Sequence, residues 1–192
     1  MFVMYAVFLL NLVVLPEESV ALHLFEPRYR QLFQDHKDGQ EFVIVRQHQN
    51  KRSDYGTLVY VEKVVNEFPD ETVDVIVKGS SLVKIDDFHQ LYPEKLYSGV
   101  DVQINEIDTQ PSAALIEEFE QFLVASNKRK IKEHSNSLFY IANRLELDTE
   151  SKNEMIQLLD GDKMNRYLLN QIKFMNKIRE QESLLDQNFH LN

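Results

Sequence analysis

Cysteine is absent from all 192 residues. That excludes disulfides, thiolate metal sites and cysteine nucleophiles, and it fits a reducing compartment. Glycine is scarce, with five residues at positions 39, 56, 79, 99 and 161. They never cluster, so there is no Gly-x-x-x-x-Gly-Lys-Ser/Thr loop whose backbone N–H groups would cradle nucleotide phosphates. Positive charge is missing from the opening: no Lys or Arg precedes Arg28. The apolar run Met1 to Leu10 has no small-residue cleavage site. Asn11 and Pro16-Glu17-Glu18 interrupt it well short of the ~20 residues that cross a bilayer. It reads as buried strand, and the expectation is a cytoplasmic protein with no membrane association.

The six histidines, at 23, 36, 48, 89, 134 and 190, are scattered. None forms a helical His-x-x-x-His or Glu-x-x-x-His pair backed by a third ligand, so neither metal nor cofactor is expected. The acidic pairs Asp70-Glu71 and Asp86-Asp87 read as loop charges, too sparse for calcium. Ser151-Lys152 is an ordinary polar helix start, without the oriented support a nucleophile needs. Catalytic residues are therefore not expected.

What is present is ample apolar material, 43% of the chain, under a formal charge of −10. The charge is spread out: residues 1–107 hold 17 acids against 10 bases, and residues 108–192 hold 14 against 11. An acidic surface repels phosphate backbones, so nucleic acid is disfavoured as a partner. The basic cluster Lys128-Arg129-Lys130 suits a solvated helix C-terminus.

The first hundred residues read as short strands. Phe2 to Val14 is apolar almost throughout, Glu41 to Gln47 is a second candidate, and Thr57 to Val65 alternates. The Pro-containing loop Asn66 to Glu71 leads to Thr72 to Lys78, a hairpin or meander. Leu82 to Asp86 and Gly99 to Ile107 add strands, divided by an irregular stretch from Phe88 to Ser98. One early helix interrupts them. Pro27 suits its first position, Tyr29, Leu32, Phe33 and His36 form its stripe, and Gly39 marks its stop. Strands without repeated βα alternation favour a closed antiparallel or mixed barrel.

Near Pro111 the period changes. Leu115, Ile116, Phe119, Phe122 and Leu123 line one helix. A second spans Asn136 to Leu145, a third starts at an Asp148 or Thr149 cap, and a fourth follows an Asp162 cap to about Leu185. The fourth carries Met164, Leu168, Ile172, Met175 and Ile178 on one stripe. Its ~22 residues make a rod of roughly 33 Å, so its distal part either projects or packs along the barrel.

Asn11 to Pro16, followed by the octapeptide Leu22-His23-Leu24-Phe25-Glu26-Pro27-Arg28-Tyr29, resembles the signature opening of the Lon protease amino-terminal, or LON substrate-binding, domain. The resemblance continues through Tyr55 to Val59, Asp74 to Gly79, Leu82 to Ile85 and Tyr97 to Val102, and covers most of the chain. It implies an α+β fold: a PUA-like β-barrel over residues 1–109 with one early helix, then a helical bundle over 110–192 with a long last helix. The chain departs from the family pattern at Ser81 and Leu82, where an arginine and an aromatic often follow the glycine, and in an opening strand without its usual prolines.

By that resemblance the expected function is noncatalytic binding of unfolded or exposed polypeptide segments in a shallow groove between barrel and helices, with a separate protease or ATPase as a candidate partner. Complete Lon proteases follow this domain with ATPase and serine-lysine protease modules, and the expectation here is a stand-alone domain without them. An adaptor or oligomerisation module using the last helix, and an RNA-binding PUA-like domain, are the alternatives. Within the signature, His23, Phe25, Glu26, Pro27, Arg28 and Tyr29 read as structural. The His23 ring is expected to bond backbone, Glu26 to meet the positive helix end, and Arg28 to tie the helix to a strand. The candidate polypeptide contacts are Phe68, Phe88, Leu91 and Tyr92, with Tyr97 assigned to the core.

Overall fold

A computed structural model describes residues 4–126 and 137–189, with side chains described through Gln181. The Lys128-Arg129-Lys130 cluster, the expected helix start at Asn136 and the chain end lie outside those residues. Two compact units emerge, one formed by residues 1–106 and 147–159, the other by 107–146 and 160–192.

Six strands make the first unit: β1 (Met4–Leu10), β2 (Ser19–Leu24), β3 (Phe42–His48), β4 (Lys51–Glu67), β5 (Val73–His89) and β6 (Ser98–Ile104), with helix α1 (Pro27–His36) between β2 and β3. The order is β2-β5-β4-β3-β1-β6, and a further β5–β6 pairing closes the ring. Of the strand pairs among the described residues, β1 and β3 alone run parallel, as the crossover through β2 and α1 requires. The fold is thus a mixed barrel.

Closure depends on β5 being one 17-residue strand. Its first half pairs with β2 through Ser19↔Lys78 to Leu24↔Val73, and its second half with β6 through Val83↔Ile104 to His89↔Gly99. The sequence suggested two strands here, broken around Gly79. Instead the ladder to β4 shifts register between Leu58↔Ser81 and Val59↔Gly79, and a bulge bends the strand without ending it. Gly79 has a different task. Pro16 bridges to it, and its carbonyl and N–H bond Glu17 N and Glu18 O, both at 2.9 Å.

Alternate residues of β1, β3 and β4 point to opposite faces, and the buried side chains on those faces form two clusters. The larger packs Tyr29, Leu32 and Phe33 of α1 against Leu22, Leu24, Phe42, Val59, Val75, Val77 and Tyr97. The smaller unites Val7, Val43, Val45, Leu58, Val83, Val100 and Val102. Helix α4 (Thr149–Ile156) joins this unit rather than the other helices. Its N-cap Asp148 accepts from Ser151 N at 2.7 Å. Bidentate bonding of Arg46 to Glu150 and an ion pair of Lys152 with Glu18 hold it in place.

In the second unit α2 (Ala113–Ala125) and α3 (Leu138–Leu145) pack on the long α5 (Gly161–Phe189). Ser112 and Ser137 cap α2 and α3. The cap of α5 is Asp160, not Asp162, because its carboxylate accepts Lys163 N at 2.8 Å and its carbonyl accepts Met164 N. Met164, Leu168 and Ile172 are fully buried, whereas Phe174 and Ile178 are exposed. The apolar stripe therefore outruns the core that covers it.

Candidate functional site

The site grows from the β2–α1 turn. Leu22 and Leu24 point into the core, so alternation turns His23 outward. Glu26 holds extended backbone (φ −70, ψ 134) as the N-cap, and Pro27 starts the helix. This sharp change of direction leaves Phe25 62% exposed, in the middle of the most apolar part of the signature.

His23 does not bond backbone as expected. Its Nδ1 lies 2.7 Å from Oδ1 of Asp74, its register partner on β5. The His23 ring stacks beside Phe25 at 6.1 Å and meets Phe68 edge-on at 6.2 Å. Arg28 likewise does not tie helix to strand. It bonds Glu26 at 2.9 Å and covers the Tyr29 ring at 4.5 Å. The tie is made by Arg30, which donates to Asp70 O at 3.0 Å and Glu71 Oε2 at 2.8 Å.

That tie fixes the β4–β5 turn carrying Phe68. Asp70 Oδ1 accepts from both the N–H and the hydroxyl of Thr72, and those bonds lower its carboxyl pKa. Phe68 is consequently held partly exposed, beside Phe25 and His23. Next to this patch β4 is paired on one side only. Its ladder with β3 ends at Phe42↔Val59, while its ladder with β5 continues to Glu67↔Val73. Among the described residues, residues 60–67 thus have no strand partner on that side, and register shifts at Glu62 and Val65 blunt indiscriminate pairing.

The other candidates lie elsewhere. Phe88 packs on the smaller core beneath the Arg52 guanidinium, 3.6 Å from its ring centre. Tyr92 is half-buried, 5.5 Å from Tyr97. Leu91 is exposed, as is the unanticipated Leu96. Their loop is anchored on α1: Leu96 N donates to Gln31 at 2.7 Å, and Asp35 accepts from Tyr97 Oη at 2.8 Å and Lys95 at 2.9 Å. Burial would raise the Asp35 carboxyl, but the bonds from Lys95 and Tyr97 prevail and hold it low. Burial and Asp35 together raise the Tyr97 phenol. Tyr97 is thus core.

Thr57 is the one buried polar side chain among the described residues, and its hydroxyl donates to Val14 O at 2.6 Å. A polar cleft of about 460 Å³ beside the β3–β4 turn is lined by Arg46, His48, Lys51, Arg52, Tyr55 and Glu150. Its most buried cation, Arg46, is taken up by Glu150.

Residues 4–187 match the family model described as the ATP-dependent protease La (LON) substrate-binding domain. The chain belongs to the Lon substrate-binding domain family. No curated protein matches it. Among solved structures, it resembles a Lon N-terminal domain protein from Xanthomonas campestris at 19% identity and TM-score 0.67. It also resembles the N-terminal domain of the Mycobacterium avium complex Lon protease at 13% identity and TM-score 0.67. Each likeness covers 88% of this chain and 98% of the other. At such identities they establish the Lon N-domain fold, a barrel followed by helices with a long last one. Within this Lon domain the signature octapeptide does two jobs: Leu22, Leu24 and Tyr29 build the core, while His23 and Phe25 stay at the surface. No helix among the described residues is long and apolar enough to cross a membrane.

Proposed function

We propose that this Lon domain is a noncatalytic module that captures exposed apolar segments of polypeptide chains on the face formed by Phe25, His23, Phe68 and the free edge of β4. The carrying observation is the exposed Phe25–His23–Phe68 cluster beside an unpaired strand edge. Partner side chains bury against the two rings, while the β4 edge supplies backbone hydrogen bonds that do not depend on sequence. Leu91 and Leu96, exposed beyond the other end of β5, offer a secondary apolar contact. In this reading the domain holds the captured chain and performs neither its unfolding nor its hydrolysis.

Fluorescence anisotropy with a labelled, permanently unfolded polypeptide tests this. Saturable binding that weakens in Phe25→Ala and Phe68→Ala is expected, and the absence of saturable binding removes the reading. A second reading, adaptor or self-association through α5, is favoured by the exposed Phe174 and Ile178 on that helix. Sedimentation of the wild type against Phe174→Glu separates the two.

A further inference from the structure

Asp87, His89 and Asp101 form a cluster outside the polypeptide-binding face, with His89 paired to Asp101 and Asp87 Oδ1 accepting from Phe88 N at 2.8 Å. One ligand atom from each lies within 4.8 Å of the others. Their meeting is produced by a bulge. Val100 and Val102 of β6 point into the barrel, so Asp101 between them points out. On β5, Ile85 packs inward opposite Val102, and strict alternation would then send Asp87 and His89 inward as well. The ladder instead slips between Ile85 and Asp87, leaving Asp86 as the extra residue. Phe88 thereby turns to the core, while Asp87 and His89 come out opposite Asp101 and Gly99.

We propose that Asp87, His89 and Asp101 bind one divalent transition cation of the Zn²⁺ class on the outer wall of the barrel. The donor set is one imidazole and two carboxylates, which suits a borderline cation better than Ca²⁺ or Mg²⁺. Two carboxylates balance a dipositive charge. Among the described residues no Lys or Arg forms an ion pair with Asp87 or Asp101. The spacing fits as well: His89 Nε2 and Asp101 Oδ2 are 2.9 Å apart. Two ligands at about 2.0–2.1 Å from a tetrahedral ion stand roughly 3.3 Å from each other, so a small opening admits the ion in place of the shared proton. Asp87 is exposed and closes the third position by rotating its carboxylate. Water fills the remaining position. Such an ion would pin β5 to β6 where the loop bearing Leu91 and Tyr92 begins.

The test is calorimetric titration of chelator-treated full chain with ZnCl₂ near pH 7.5, together with thermal melts. One saturable equivalent and a Zn²⁺-dependent rise in Tm are expected. His89→Ala and Asp101→Asn each weaken binding by at least about tenfold, since losing a ligand costs no less than losing its outer support. His48→Ala, at an exposed histidine outside the cluster, leaves the affinity unchanged. If His89→Ala fails to fold by circular dichroism, Asp87→Asn takes its place with the same expected loss. No saturable uptake, or uptake indifferent to these ligand substitutions, overturns the proposal and leaves an ordinary ion pair.

Discussion

Gly79 lies so close to Leu15 that a β-carbon built on it would stand 2.2 Å from the Leu15 carbonyl oxygen. The segment after β1 crosses β5 here, exchanging backbone hydrogen bonds with Gly79 through Glu17 and Glu18. The contact is backbone to backbone, so no side-chain rotation relieves an added methyl. Gly79→Ala is expected to destabilise the barrel by about 3 kcal/mol or more, at the upper end of single-substitution effects. Urea unfolding monitored by circular dichroism measures it; a variant as stable as wild type would show that the crossing strand can move away.

Phe25 and Phe33 are both apolar members of the β2–α1 region, yet one is exposed and the other buried in the larger core. Phe25→Ala is expected to change stability by no more than about 0.5 kcal/mol, as for other surface substitutions. Phe33→Ala is expected to cost about 3–5 kcal/mol. Polypeptide affinity should fall in the first variant while its melting curve stays in place.

The His89 imidazole is raised above its ordinary value chiefly by its hydrogen bond to Asp101, which outweighs the opposing desolvation, and the charges of Asp101 and Asp87 add to the rise. A raised folded pKa means that the ion pair's contribution is fully present below the unfolded pKa and is lost as pH rises through the folded one. The pH-dependent difference in stability between wild type and Asp101→Asn should therefore shrink on going from mildly acidic to alkaline buffer. A metal-free NMR titration of His89 should give a midpoint above 6.5, and a midpoint below it would contradict the pairing.

Tyr97 donates to Asp35, tying the 90–97 loop to α1. Tyr97→Phe keeps the ring in its slot and removes the hydroxyl. A loss of about 1 kcal/mol is expected, because Lys95 still bonds Asp35 and no charge is orphaned. With one of its lowering bonds gone, the Asp35 carboxyl should titrate at higher pH than in wild type, observable in carboxyl-selective NMR.

On α5, Ile172 is wholly buried and Ile178 is exposed, six residues further along the same helix. Ile172→Ala should cost about 2–5 kcal/mol. Ile178→Ala should leave monomer stability nearly unchanged, and a concentration-dependent drop in Tm for that variant alone would mean that the stripe is covered by a second chain.

Local rules were enough to read much of this protein from its residues. Pro27 and the Tyr29, Leu32, Phe33 stripe mark α1, Asp148 marks the cap of α4, alternation marks the strands, and Met164, Leu168 and Ile172 mark the buried face of α5. Each follows from sterics or periodicity within a few neighbours. Where the strands bend and which side chains meet across them was decided by pairing between distant segments. Closing the ring required β5 to continue past Gly79, and the bulge at Asp86 turned Asp87 and His89 outward to Asp101. The β2–α1 turn left Phe25 exposed beside His23, whose ring meets that of Phe68 more than forty positions away in the chain. A one-residue slip in register exchanges inside for outside, and no periodicity along a single strand contains that slip.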